Sequence, residues 1–142
     1  MYKKIVRGTS LLFAVLMLMS TSTFAMDMRA STRIVSSSAI VKAGTDDNLW
    51  IYFSIDAVSI MEDIGASKIT IQRYSGSRWV TESTLTPTNT PEIQTTDALR
   101  HSAAVPYSPK YSGYSYRAVV AVYATDSSGT STTTLTSHSV TM

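Results

Sequence analysis

The stretch from Gly113 to Gly129, GYSYRAVVAVYATDSSG, constrains the fold of this chain more than any other. Alternate residues from Tyr114 to Ala124 are all aromatic or aliphatic, whereas the residues between them are apolar only in the middle of the run. A period of two with many valines and tyrosines is typical of a strand. A helix is the alternative for a run of this length, but the adjacent β-branched residues favour the strand. We therefore predict a strand with one face in a core and the other face partly covered near Val119–Tyr123.

The polar segment Asp126–Gly129 predicts the turn that follows this strand. Asp and Ser side chains bond nearby backbone amides, and glycine accepts the positive φ that closes a hairpin. Residues 130–142 are mostly Ser and Thr and are predicted to form the last strand. Leu135 and Val140 have opposite parities, which predicts a bulge or a change of face between them.

A second alternating segment, Leu49–Ala57, also predicts a half-buried strand. Trp50 and Tyr52 fall on its outer face, where aromatic residues either cover neighbouring strands or form a flat binding surface. Both interpretations stay open at this point. The inward face comprises the alternate apolar residues Leu49, Ile51, Phe53, Ile55 and Ala57.

Shorter patterns complete the prediction of an all-β, antiparallel domain. Turn residues cluster at Gly44–Asn48 and Ser75–Ser77, and two prolines bound a loop at Thr86–Pro91. Strands are predicted within Arg33–Lys42, around Ile69 and Ile71, at Arg78–Thr84 and at Leu99–Val105. One short helix is predicted at residues 59–64, because Ser59–Glu62 fits a capping box and Gly65 stands where a helix would end.

The first 25 residues are predicted to be a secretory signal peptide. Three basic residues among the first seven precede the nine-residue apolar run Leu11–Met19. Small residues at Thr23 and Ala25 predict cleavage after Ala25, so that the chain is secreted. An uncleaved anchor is the alternative, but nine residues are few for about 30 Å of hydrocarbon. Residues 26–32 are then a flexible start of the mature chain, and residues 33–142 form one domain.

Charge and cysteine content narrow the class of protein further. Residues 26–142 contain nine basic and ten acidic side chains, and this balance argues against a nucleic-acid partner. The chain contains no cysteine, so its core relies on packing alone. We expect a bacterial exported protein with no stable membrane anchor after cleavage.

The segment Tyr116–Val122, followed by Ser128-Gly129 and a Ser/Thr strand, resembles the F strand, FG turn and G strand of fibronectin type III and immunoglobulin-like domains. The resemblance implies a β-sandwich and a tyrosine-corner hydrogen bond from Tyr116 to upstream backbone, with Tyr114 as the alternative donor. Lys68–Trp79 resembles a C strand turning into a C′ strand, and the resemblance implies that Trp79 anchors the core. The whole chain also resembles small secreted proteins of Gram-positive bacteria that have no assigned activity.

No pattern of catalytic, cofactor-binding or metal-binding residues is found. His101 and His138 lie on separate predicted strands, and the trio Asp46-Asp47-Asn48 lacks the spacing of a calcium loop, so a turn explains it. No G-x-S-x-G motif or phosphate-binding glycine loop is present. We therefore predict that the chain is not an enzyme and takes no cofactor.

Tyrosines near the central strand are the strongest candidate contact residues. Tyr107, Tyr111 and Tyr114 combine apolar area with a polar tip, which suits glycan or protein contacts. The alternative is that these tyrosines cover one end of the domain and hydrogen-bond its loop. With Trp50 and Tyr52, they are the predicted ligand-contact residues of a secreted, non-enzymatic module that binds protein or cell-wall glycan. A small exported antimicrobial or toxin-like protein is the alternative function.

Overall fold

The computed structural model describes residues 33–142, so the predicted signal peptide and the predicted flexible start lie outside the described residues. Within residues 33–142 the chain is all-β. No helix there has the length and apolar character that crossing a membrane requires. The elements are β1 (Ile34–Ala43), β2 (Leu49–Tyr74), β3 (Trp79–Leu85), a 3₁₀ helix (Pro91–Ile93), β4 (Gln94–Tyr107), β5 (Ser115–Asp126), β6 (Gly129–Thr136) and β7 (Val140–Thr141).

Strand β2 organises the whole sheet. It is 26 residues long and pairs antiparallel with β1, β3, β4 and β5. Its first half lies between β1 and β4, and its second half lies between β3 and β5. Strand β5 then pairs with β6 and β7. The described strands therefore form one curled antiparallel sheet in which hydrogen bonds connect every strand.

The two alternating segments bury the faces that the sequence predicts. Tyr116 is the largest fully buried side chain among the described residues. The predicted turns and the Thr86–Pro91 loop also lie between strands, and β6 and β7 are separated between Leu135 and Val140 as expected. The buried faces of β2 and β5 comprise Leu49, Ile51, Phe53, Ile55, Ala57, Tyr116, Ala118, Val120, Val122 and Ala124.

The predicted helix at residues 59–64 is wrong, because these residues belong to β2. Met61 and Ile64 are fully buried while Ile60 is 69% exposed, and Met61 pairs with Ala98 of β4. A capping box contributes only about 1 kcal/mol, whereas burying a large aliphatic side chain contributes about 1.5–3 kcal/mol. Tertiary burial and pairing with two strands therefore outweigh the local helix signal.

Gly65 is required for this strand to pass the 3₁₀ helix. Its φ of +155° is a conformation that L side chains rarely adopt. A Cβ built on Gly65 would overlap the carbonyl oxygen of Ile93 and lie 2.5 Å from Cα of Gln94. The glycine that suggested the end of a helix instead permits a close backbone approach.

We expect Gly65→Ala to lower the free energy of unfolding by about 2–4 kcal/mol, since it combines backbone strain with an overlap that backbone atoms cannot relieve. Gly76→Ala is the matched control: Gly76 also has a positive φ, but no atom lies within 4 Å of the position that a methyl group would take there. The control should lose only about 1–2 kcal/mol. Urea melts that give equal losses for the two variants would contradict this account.

An ion pair connects the start of β1 to the turn between β5 and β6. Arg33 Nε lies 2.9 Å from Asp126 Oδ1, and Arg33 Nη2 donates to Ser128 Oγ at 2.6 Å. Hydrogen bonds from Ser128 and from Arg33 lower the pKa of the Asp126 carboxyl to about 2. The strand order of the sheet is β1-β2-β5-β6, so this ion pair connects the two outer strands of that order.

This ion pair predicts a pH dependence of stability with a definite sign. A carboxyl whose pKa is lowered by folding stabilises the folded state above its unfolded pKa, and that stabilisation is lost as the pH falls through its folded pKa. We expect the urea midpoint to fall as the pH drops from 3.8 to about 2, and to fall less steeply in Asp126→Asn. The measurement is a set of urea melts across that range, and identical profiles would refute the assignment.

Candidate binding surfaces

The five predicted contact residues fall in two separate parts of the sheet. Trp50 and Tyr52 lie on the outer face of the β1–β2–β4 half, opposite the buried residues of β2. Tyr107 ends β4, and Tyr111 and Tyr114 lie in the loop between β4 and β5. The two groups therefore need separate descriptions.

On the outer face of the β1–β2–β4 half, side chains lie in short rows of three. Each row contains one residue from each strand, because the strand register aligns them. Small residues of β4, Ala104 and Pro106, flank the two aromatic residues of β2. From the polar end, the rows are Ser36–Asp56–Arg100, Ser38–Ser54–Ser102, Ile40–Tyr52–Ala104 and Lys42–Trp50–Pro106.

Trp50 and Tyr52 form one tilted aromatic pair along β2. Their ring centroids are 6.4 Å apart with an interplanar angle of 30°. The indole Nε1 of Trp50 donates to Asp46 Oδ1 at 3.3 Å, and a Cβ at Gly44 would lie 2.7 Å from Trp50 Cδ1. The β1–β2 turn thus holds the indole in place. Tyr52 is 36% exposed, so part of its surface remains free for contact.

A shallow groove of about 210 Å³ lies beside the Tyr52 ring. The serine row Ser38–Ser54–Ser102 contributes hydroxyl groups to its lining, and Ser38 Oγ and Ser54 Oγ share a hydrogen bond of 2.9 Å. Next along the face, Asp56 accepts from Ser36 Oγ at 2.7 Å and pairs with Arg100 at 3.3 Å. The groove lining itself is mostly apolar, with the serine hydroxyls as its polar part and no charged side chain among its residues.

Glu82 is the centre of the second region. The β2–β3 register pairs Ile71 with Ser83 and Gln72 with Thr81, so Glu82 is a bulged residue without a partner in β2. Its side chain is only 6% exposed. Arg73 Nε lies 3.4 Å from Glu82 Oε1, and the Tyr107 hydroxyl donates to Oε2 at 2.8 Å. A buried carboxylate needs such partners to offset the loss of water.

The tyrosine-corner hydrogen bond that the sequence predicts for Tyr116 is present. The Tyr116 hydroxyl donates to the carbonyl oxygen of Tyr111 at 2.9 Å and also lies 3.3 Å from Glu82 Oε1. A phenol has a single proton, so we assign it to the shorter contact. Burial and the Glu82 charge raise the pKa of both Tyr107 and Tyr116, so both groups remain protonated donors at neutral pH.

Tyr111 and Tyr114 are exposed, but Arg73 occupies their ring faces. The Arg73 guanidinium carbon lies 4.6 Å from each ring centroid, and the two rings meet edge to face at 6.1 Å. Their exposed fractions are 51% and 41%. Because Tyr107 is also committed to Glu82, this region fits the alternative in which the tyrosines cover one end of the sheet.

The prediction that Trp79 anchors the core is wrong. Trp79 is half-buried at the start of β3 and packs against Tyr74, with ring centroids 5.2 Å apart and the rings tilted by 53°. The Arg117 guanidinium lies 4.2 Å from the Trp79 ring centroid. Its register partner in β2 is Tyr74, whose side chain is exposed, so this row faces away from the core. Tyr116 is the large aromatic residue that the core contains instead.

The His101 side chain contacts other residues of the fold. Its Nε2 lies 2.9 Å from the carbonyl oxygen of Glu92, and its ring packs at 5.8 Å from the Phe53 ring. Within residues 33–142, no three His, Asp or Glu side chains are placed to hold a metal ion.

Arg73 and Glu82 are the residues that the sequence analysis missed. Both lie in segments that the sequence predicts as strands, where an isolated charge suggests only a solvent-facing position. The bulge at Glu82 reverses that expectation by turning the carboxylate inward. No residue type in β3 marks the bulge, so the sequence contains no signal for it.

Comparisons with known proteins add little to this description. No protein-family model matches the chain, and no curated protein matches it. Among solved structures, it is similar to the solution structure of a "putative late embryogenesis abundant (LEA) protein", with 15% sequence identity and a TM-score of 0.48. The similarity covers 98% of this chain and 88% of that one. At this level it supports no inference about family or function.

The Tyr116 hydrogen bond generates a paired prediction. Tyr116→Phe should lower the free energy of unfolding by about 1–2 kcal/mol, since it leaves the Tyr111 carbonyl without its buried donor. Tyr114→Phe is the control, because its side chain is 41% exposed, and it should change stability by less than about 0.5 kcal/mol. Equal effects in urea melts would show that the corner hydrogen bond contributes nothing.

Proposed function

We propose that this chain is an exported, non-enzymatic β-sandwich module that binds cell-wall glycan through the outer face containing Trp50 and Tyr52. Export is supported by the signal-peptide pattern of the first 25 residues. The sandwich arrangement is supported by two cross-connections of the curled sheet, Tyr107–Glu82 between β4 and β3 and Arg33–Asp126 between β1 and the β5–β6 turn. The tyrosine-corner hydrogen bond supports an immunoglobulin-like or fibronectin type III-like arrangement.

The Trp50–Tyr52 pair is the observation that carries the glycan assignment. A sugar ring presents C–H groups on its faces and hydroxyls around its edge. The two aromatic rings suit the faces, and the serine row and the Asp56–Arg100 pair suit the hydroxyls. A protein interface usually has a larger apolar centre, whereas on this face two polar rows lie beside two rows that each contain one aromatic residue.

The test is a retention assay of the purified chain on insoluble bacterial cell wall from which proteins have been stripped. We expect Trp50→Ala and Tyr52→Ala each to reduce retention about tenfold, the equivalent of one stacking contact. Trp79→Ala is the matched control, because it removes an aromatic residue of the same kind from a different part of the sheet and should retain binding. Circular dichroism confirms that each variant is folded.

Two outcomes would overturn the proposal. Retention that disappears when wall proteins are stripped would assign the surface to a protein partner. Retention that is unchanged in Trp50→Ala and Tyr52→Ala but lost in Trp79→Ala would move the site to the Tyr74–Trp79–Arg117 cluster.

A further inference from the structure

Strand β4 has a free edge among the described residues, since it pairs only with β2. The position of Pro106 shows which backbone groups point to that edge. Pro106 lacks an N–H and is paired with Trp50 in an unbroken ladder, so this pair is one of those that exchange no hydrogen bonds. By alternation, the N–H and C=O groups of Ala104, Ser102 and Arg100 also point outward.

This open stretch is short and has a defined limit at each end. Pro106 removes the donor at one end. At the other end, Asp97 has a φ of +51°, which interrupts the regular backbone of the strand. The unbroken β2–β4 ladder ends at the Asp56–Arg100 pair, so alternation gives three residues with outward donors and acceptors, and Ser102 is at their centre.

We propose that a second copy of this chain pairs with this edge, antiparallel and centred on Ser102. Ser102 then faces Ser102 of the second copy, and Arg100 faces Ala104 of the second copy on both sides of the two-fold axis. All three residues have an N–H, so this register makes about six backbone hydrogen bonds and ends where Pro106 has no donor. A register shifted toward Pro106 would bring that residue into the ladder, and one shifted the other way would bring in the backbone beyond Arg100, where the β2–β4 register is irregular.

Leu99 supports the same register. It is an apolar side chain with 46% of its surface exposed at the open edge. In the proposed pairing it lies opposite Val105 of the second copy, on the face of the sheet that contains the core. The contact covers apolar surface that the single chain leaves in water.

The pairing makes the proposed glycan site one half of a bivalent surface. This consequence rests on the proposed function. A two-fold axis perpendicular to the sheet keeps both outer faces on the same side. Two β2 strands are then separated by two β4 strands, about 14 Å across the sheet, and the aromatic pairs are offset by about six residues, roughly 20 Å, along the strands, so they lie roughly 25 Å apart. A bivalent face would bind a polymer more tightly than either site alone.

Sedimentation velocity over a range of concentrations tests the dimer without any ligand. We expect a concentration-dependent dimer for the purified chain, and at least about a tenfold weaker association for Ser102→Pro, which deletes two symmetry-related hydrogen bonds. Thr134→Pro is the matched control. Asp126 pairs with Gly129 across a two-residue hairpin. By alternation from that pair, the Thr134 N–H points to the edge of β6 that is free among the described residues. The control should associate like the unaltered chain.

Cross-linking provides a test that does not depend on proline. The chain contains no cysteine, so Ser102→Cys introduces a single thiol. In the proposed register the two Cα atoms of residue 102 are about 5.5 Å apart, within the range of a disulfide. Mild oxidation should give a covalent dimer of Ser102→Cys and little of Thr134→Cys.

The outcomes separate this inference from the proposed function. A monomer at all concentrations, or equal cross-linking of the two cysteine variants, overturns the dimer. A dimer that meets both tests but is not retained on stripped cell wall leaves the pairing standing and refutes glycan binding.

Discussion

The fold depends on one strand that serves both halves of the sheet. Strand β2 begins between β1 and β4 and ends between β3 and β5. A strand that keeps strict alternation over such a length cannot keep one face on a core that curls around it. The inward-facing parity of β2 therefore changes twice along its length, and the change from even to odd coincides with a shift in register.

The parity of the buried residues records these changes. Odd-numbered residues are buried from Leu49 to Ala57 and again at Met61, even-numbered residues are buried at Ile64 and Ala66, and odd-numbered residues are buried again at Ile69 and Ile71. The register against β4 shifts between Asp56 and Met61, and the register against β5 shifts between Ala66 and Lys68. Gly65 lies between these shifts, where the backbone must pass closest to the 3₁₀ helix. The bulges are therefore part of the core design.

These shifts also explain how far the sequence could predict the structure. The segments Leu49–Ala57 and Tyr116–Ala124 contain no bulged residue of their own, so simple alternation identifies their buried faces. At residues 59–64 and at Glu82 the period changes: the pattern favours a helix at 59–64, and nothing in the pattern marks the inward turn of Glu82. A bulge is selected by pairing with a distant strand, and no local residue type marks it. The same limit applies to Trp79, whose orientation follows from its register opposite Tyr74.

The strand register also sets the arrangement of side chains on the outer face. The rows on β1, β2 and β4 are aligned by backbone hydrogen bonds, and the β1–β2 turn fixes the indole of Trp50 through Asp46. Hydrogen bonds from Asn48 lower the pKa of Asp46, so this carboxylate remains charged and keeps accepting from the indole at neutral pH. A ligand that meets this face loses little binding free energy to the ordering of protein side chains. Pre-organisation of this kind suits the glycan partner proposed above, because the contacts that would meet it are already in place.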